Sequence, residues 1–385
     1  MITGLAKFFF ILWEIAISSW RGKPVYTFER TMGTVGCEVL RALMALVYVP
    51  LFVGGYTYLL IHHSFTLLSP SAVLTWGLAI FAFSFVDYWS HRLSHSVPFL
   101  WAIHSVHHQV EELNAIAGGR VSFVNDVVTL TLLFSLAILG IPLSVTLGVV
   151  GVAALYSVVL HCPFLGSFGW IGRVVASPAF HRLHHGIQPQ YLNKNFSISL
   201  SFWDKVFGTY VEEDVPPKYG LTNGFATNSP FRANWQPWVD YFAKTKRTYA
   251  ALPLKERSRS QRTYLFSQMI LVLLCASLLQ NTSGPALTAG IALLCVGAVL
   301  GSLATLDGLV RQSRGAYYVE GFRVGLFIPM MFFLTGNGNW SGHSFWWIWG
   351  GAVLFLVWLR AAFGNAKYDQ PVVEYASKQL HRSSK

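Results

Sequence analysis

Apolar residues along this chain gather into long runs, where a water-soluble fold would show short strands or one-sided helical stripes. A hydrophobic stretch of about 18 residues or more can cross a bilayer as a helix. Eight segments meet that description: 41–61, 68–88, 122–139, 142–160, 264–281, 285–304, 319–336 and 344–363. The third and fourth meet at Gly140, Ile141 and Pro142, a tight hairpin turn. The pattern predicts an all-α, multi-spanning integral membrane protein with about eight transmembrane helices.

Polar stretches divide these runs into three parts. Residues 1–90 hold an N-terminal leader and two spans, and 91–250 are histidine-rich around one membrane hairpin. Residues 264–363 hold four more spans, reached through the basic linker Lys244–Arg262. The leader carries Lys7 and an apolar stretch from Phe8 to Trp20 that Glu14 interrupts. Too short to span and without a small-x-small cleavage site, it reads as a helix lying in the membrane interface.

Composition agrees with immersion in lipid. Hydrophobic residues make up 53% of the chain and charged residues 12%, against about 25% charged in a soluble domain. Basic residues favour cytoplasmic loops. With a cytoplasmic N-terminus, the outer loops are 62–67, 140–141, 282–284 and 337–343, and none contains Lys or Arg. Both termini and the histidine-rich region then lie on the cytoplasmic side of a bacterial inner membrane or the endoplasmic reticulum. The net charge of +11 is spread over segments that flank spans, which suits anionic head groups and not nucleic acid. The four cysteines, Cys37, Cys162, Cys275 and Cys295, form no CxxC pair and read as packing residues.

Thirteen histidines occur, and nine fall in a repeating arrangement. His91 and His95 form HxxxH; His104, His107 and His108 form HxxHH; His181, His184 and His185 form a second HxxHH; His161 stands alone at the end of a span. Residues three and four apart share a helix face, so each cluster can aim its imidazoles at one place. A lone histidine is best read as a packed residue. Three such clusters in one chain point to metal, and imidazole suits zinc, copper, iron and nickel.

Topology puts all nine at one membrane face, while His62 and His63 fall on the other and His343 and His381 stand apart. Nine donors are too many for one ion and suit two. A nearly all-histidine set in a membrane favours a redox metal working on dioxygen. A two-zinc hydrolase and a metal transporter or sensor remain as alternatives, although HExxH is absent and the C-terminal spans are almost uncharged.

Helical spacing suggests supporting residues. Asp87 lies four residues before His91 and could accept an imidazole N–H. Glu111, Glu112 and Asn114 follow the first HxxHH closely, Asp126 starts a span, and Asn195 and Asp204 follow the last cluster. Of these, Asp87, Glu111 and Asn114 are the candidate catalytic residues.

The series HxxxH, HxxHH, single histidine, HxxHH, then NF and WDKVFGT, resembles the fatty acid hydroxylase (sterol desaturase) superfamily over about residues 80–215. HHQVEELN, ASPAFHRLHHG, KNFSISLSFWDKVFGT and KYGLTN look closest to its alkylglycerol monooxygenase-like branch. The resemblance implies a non-haem site of two iron ions, dioxygen as oxidant, and hydroxylation or desaturation of a lipid. Its metal ligands would be the nine histidines. The chain shows no flavin, haem or nicotinamide motif, so electrons must come from an external donor, a reduced pterin or a cytochrome- or ferredoxin-type protein.

Overall fold

The computed structural model describes residues 2–244, 247–249, 257–281, 289–327, 329 and 342–364. Among these no β-strand occurs, and the isolated antiparallel bridge Val175–Leu200 stands in for one. The chain forms two compact units, residues 1–227 with 232–251, and residues 228–231 with 252–385.

The first unit contains α1 (Ile2–Trp20), α2 (Phe28–His62), α3 (Val73–Ser96), α4 (Pro98–His108), α5 (Asn125–Ile138), α6 (Leu143–Leu160), α7 (Pro178–His184), α8 (Phe202–Val206) and most of α9 (Pro230–Ala243). Four of these helices pack into one apolar core. Phe52 and Tyr56 of α2, Phe83 of α3, Leu133 and Leu136 of α5, and Val145 of α6 are all buried in it. Tyr56 donates its hydroxyl to the Ile141 carbonyl at 2.9 Å, which satisfies a polar atom in an otherwise dry core. The hairpin turn falls at Gly140, whose φ of +84° suits glycine and where a Cβ would collide with the Thr66 carbonyl.

Helix lengths differ from the apolar runs in instructive ways. α2 begins 13 residues before the predicted span, because its polar residues find partners. Arg30 pairs with Glu111 and Glu112, and Arg41 with Asp126 at 2.7 Å. α5 has 14 residues where a span over 122–139 is expected; a rise of about 1.5 Å per residue gives it roughly 21 Å. Among the described residues, α2, α3, α6 and the stretch 346–363 are long and apolar enough to cross a membrane. α5 and 295–310 are apolar but shorter.

Glu14 does more than interrupt an apolar stretch. It is fully buried in α1 and accepts hydrogen bonds from the Tyr26 hydroxyl and the Ala115 N–H. Asn114 donates to the Val25 carbonyl at 2.6 Å, and Thr27 donates to Glu112 at 3.0 Å. The N-terminal segment is thereby stitched to the loop that follows α4.

The second unit holds α10 (Arg259–Asn281), α11 (Ala289–Val310), α12 (Arg314–Phe322), a π-helical turn over Arg323–Phe327, and α13 (Gly342–Phe363). α10, α11 and α13 fall on three of the C-terminal apolar runs, while α12 and the π-helical turn reach only 319–327 of the run at 319–336, and 282–288 and 330–341 lie outside the described residues. Charge inside this unit is low but not absent. Glu320 is fully buried and paired with Arg323, and accepts from Tyr264 and Thr305, each at 2.9 Å. Arg323 also donates to Ser302 and Gln268, so one ion pair ties three helices together.

Candidate metal centre

α3 carries His91 and His95 to its last turns and stops at Pro98, which opens α4 at its first position. α4 then presents His104, His107 and His108. α6 ends at His161, and the Ser177 hydroxyl accepts the Phe180 N–H to start α7, bearing His181 and His184, with His185 as its C-cap.

The nine histidines converge as two groups, with the ligand atoms of each within 4.8 Å of one another. His91, His95, His104, His108 and His184 form one; His107, His161, His181 and His185 form the other. Each HxxHH is split between them. In α4 the pair four apart, His104 and His108, faces the five-histidine group while His107 faces the other. In the second motif His181 and His185 face the four-histidine group and His184 crosses to the first. His108 and His185 stack at 4.6 Å between ring centroids where the groups meet.

Four of the rings have their tautomer fixed by backbone. His107 Nδ1 meets the Arg120 carbonyl at 3.2 Å, His161 Nδ1 the Ser157 carbonyl at 2.6 Å, and His184 Nδ1 the Lys194 carbonyl at 2.8 Å. His91 Nδ1 meets the Phe196 carbonyl. A carbonyl can only accept, so each Nδ1 carries the proton and each Nε2 of a neutral ring presents a lone pair. The Nε2 atoms of His107 and His161 nevertheless face each other at 3.3 Å. Two acceptors held that close need a cation between them. His95 Nε2 is likewise buried with no protein partner.

Electrostatics keep the rings in the form a metal needs. Burial holds His104, His107, His108, His181, His184 and His185 well below the ordinary imidazole value, and neighbouring histidines push the same way. Burial also brings His161 down to about 4. Among the described residues no carboxylate joins either group. Cys162, next to His161 in the chain, joins neither group either. Neutral imidazoles converging in two groups therefore fit a pair of borderline metal ions, iron and zinc among them.

Four supporting residues sit elsewhere than their spacing suggests. The Asp87 carboxylate accepts the Ile198 N–H at 3.2 Å, and the His91 proton it might have taken goes to the Phe196 carbonyl. Both contacts come from one extended segment laid along α3. Glu111 pairs with Arg30, and Asn114 bridges Val25 and the Ala117 N–H, so neither joins the two groups. Asp126 is engaged by Arg41 and Tyr48.

Asn195 and Asp204 do brace the last cluster. Asn193 and Asn195 adopt φ of +58° and +56°, which turns the chain so that Lys194 and Phe196 point their carbonyls at His184 and His91. Asp204 accepts the N–H groups of Phe196 and Ser197 at 2.8 and 2.9 Å and the Thr209 hydroxyl at 2.7 Å. The four carbonyls that orient histidines have no side-chain signature. Only Ser157 was discoverable, since a histidine just past a helix end can reach the carbonyl four residues back. A cavity of about 180 Å³ opens onto the five-histidine group, walled by Trp101, Leu192, Asn193 and Thr222.

His62 and His63 lie exposed at the end of α2 and join neither group. The side chains of His343 and His381 lie outside the described residues.

Comparison with known proteins supplies relatives and one matched domain. The alkylglycerol monooxygenase of Homo sapiens is 30% identical over 239 residues, covering 60% of this chain and 53% of that protein. Its Xenopus tropicalis counterpart is 29% identical over 233 residues, covering 60% and 52%. The ornithine lipid hydroxylase OlsE of Rhizobium tropici is 33% identical over 148 residues, 38% of this chain and 43% of that protein. The chain thus spans about half the length of the alkylglycerol monooxygenases it matches. No solved structure matches it significantly. The fatty acid hydroxylase family model matches residues 76–209, which include all nine clustered histidines. The chain therefore carries a fatty acid hydroxylase domain at residues 76–209.

Proposed function

We propose that this protein is a membrane-bound, non-haem di-iron oxygenase that hydroxylates or desaturates a C–H bond of a lipid. The observation that carries the reading is the pair of Nε2 lone pairs on His107 and His161, 3.3 Å apart and without a proton between them. Relatives named as lipid hydroxylases and monooxygenases support the reaction class, and the long apolar helices support a lipid substrate.

Two iron ions, when bound, would supply the redox chemistry by which dioxygen and two electrons attack an unactivated C–H bond. The protein's part is to hold neutral donors. His91, His95, His104, His108 and His184 would take one ion, and His107, His161, His181 and His185 the other. The carbonyls of Arg120, Ser157, Lys194 and Phe196 keep the Nδ1 protons and leave Nε2 free. Asp87 and Asp204 act at one remove, by fixing the 196–198 segment. Burial of eight of the nine rings limits the access of bulk water, which the cavity beside His95 leaves open on one side. Electrons come from an external donor, a reduced pterin or a cytochrome- or ferredoxin-type partner. The absence of basic residues from four of the loops favours eight spans, with the site and both termini on the cytoplasmic side.

The test is expression in a host lacking such activity, followed by untargeted lipid mass spectrometry. One added oxygen marks hydroxylation and loss of two hydrogens marks desaturation. Hydrolysed lipid with neither change would favour a zinc hydrolase built on the same donors.

A further inference from the structure

Unit one presents an apolar face that the metal centre does not use. In the loop after α6, Phe168, Trp170, Ile171 and Val174 are exposed, Trp170 at 76%. On α8, Phe202 and Val206 are exposed as well. The two pieces are one surface. Ala176 donates to the Ser199 carbonyl at 2.8 Å, Val175 bridges Leu200, and Lys205 Nζ donates to the Arg173 carbonyl.

This surface continues a membrane-spanning one. Trp203 of α8 packs on Phe81 and Phe85 of α3, each at 5.0 Å between ring centroids. Both phenylalanines are themselves exposed along a helix apolar enough to cross the bilayer. Farther along α3, Phe207 meets Trp89 at 5.1 Å, and Arg92 lies 5.3 Å over the Trp89 ring. Aromatic residues with an arginine at the end of a span mark the head-group level. α8 therefore runs beside α3 where the span leaves the hydrocarbon.

The charges beside this face are mainly basic, the nearby acidic group being Glu212, which accepts from Tyr210 at 3.3 Å where the Tyr210 ring lies 4.9 Å from Lys205 Nζ. Arg173 and Lys205 are exposed beside the apolar side chains, and Lys194 reaches the Gly208 carbonyl at 3.4 Å. Asp204, on the same helix, is fully buried and spent on three hydrogen bonds. Large apolar side chains under a fringe of Lys and Arg suit an anionic lipid surface.

We propose that the 168–174 loop and α8 form an interfacial seat, bedded in the anionic leaflet of the membrane that α3 crosses. The six apolar side chains enter the acyl boundary, and Arg173, Lys194 and Lys205 meet lipid phosphates. The seat adjoins the segment whose Lys194 and Phe196 carbonyls orient His184 and His91, so it sets the centre's depth relative to the lipid. Nothing in it depends on which metal or reaction the centre serves.

The test uses the full chain in nanodiscs with Trp170 as reporter. Its emission is the difference between wild type and Trp170→Phe. Phosphatidylglycerol with brominated acyl chains should quench roughly half of that difference, as insertion about 5–10 Å below the head groups implies. Aqueous iodide should leave it unchanged, and brominated phosphatidylcholine at the same mole fraction should quench less. A second reporter, Val206→Trp in the Trp170→Phe background, should behave the same way. Iodide quenching without bromine quenching at both positions would overturn the seat and leave the face to a protein partner. Equal quenching by the two lipids would overturn the anionic assignment.

Discussion

His107 and His161 face each other through Nε2 atoms 3.3 Å apart, while each Nδ1 is held by a backbone carbonyl. One ring comes from α4 and the other from the end of α6, 54 residues apart in sequence. Their apposition is stable only with a cation between two lone pairs, and removing that cation leaves a repulsion inside a buried cluster.

Asp204→Ala should loosen the centre without touching a ligand. It orphans the N–H groups of Phe196 and Ser197, at about 1–3 kcal/mol for each buried group left unsatisfied. Metal affinity should fall roughly 10–100-fold, read by competition with a chelator. Asn at this position should recover part of the loss, having one acceptor oxygen where Asp has two. Unchanged affinity would show that the 194–198 segment does not position the histidines.

Gly118→Ala tests the room around His161. A Cβ there would stand 3.0 Å from His161 Nδ1 and 3.4 Å from the Ser157 carbonyl, the two atoms of the bond that orients the ring. The variant should lose metal from the four-histidine group selectively. Gly151→Ala, in α6 with nothing within 4 Å, is the matched control. It should hold metal normally and gain about 0.5–1 kcal/mol of helix stability. Equal metal content in the two variants would remove His161 from the site.

Acid should destabilise the metal-free protein over a defined window. The buried rings outside the spans titrate below the unfolded value of 6.5, His161 at about 4. Between those values the unfolded chain binds more protons than the folded one, so stability rises with pH. It is fully present above about pH 6.5 and lost as pH falls toward the folded value. Each histidine contributes up to about 1.4 kcal/mol per pH unit there. Unfolding midpoints of the apoprotein between about pH 7 and 4 check this, and a flat profile would contradict neutral buried imidazoles.

In the second unit, breaking the Glu320–Arg323 pair should cost more than removing it. Either residue alone changed to Ala leaves a buried charge unpaired, at about 3–5 kcal/mol. Glu320→Gln with Arg323→Met should recover most of that loss. Thermal unfolding in detergent reads both, and additive effects in a double-mutant cycle would contradict the pairing.

Much of this architecture was legible in the chain. Apolar runs mark the main helices, and the nine histidines stand out by three- and four-residue spacing. Spacing could not reveal the division of each HxxHH between two groups, because that depends on how α4 and α7 rotate against α3 and α6. Glu111 and Asn114 look catalytic from their nearness to His108. The loop turns them instead toward Arg30 and Val25, and only long-range packing decides that. Glu14 resembles a flaw in an apolar stretch until its partners Tyr26 and Ala115 are brought beside it. The orienting carbonyls are backbone atoms, to which residue identity is blind.

Two ions, one per histidine group, with iron as the native metal, are what the proposed function requires. Elemental analysis of anaerobically purified protein tests it, comparing wild type with His107→Ala and His104→Ala. These remove one ligand from the four- and the five-histidine group respectively. Wild type should carry about two irons per chain, the number that nine imidazoles suit, and each variant about half as much. Mössbauer spectra should show a different site surviving in each variant. A single ion in wild type, or loss of the same site in both variants, would contradict the account.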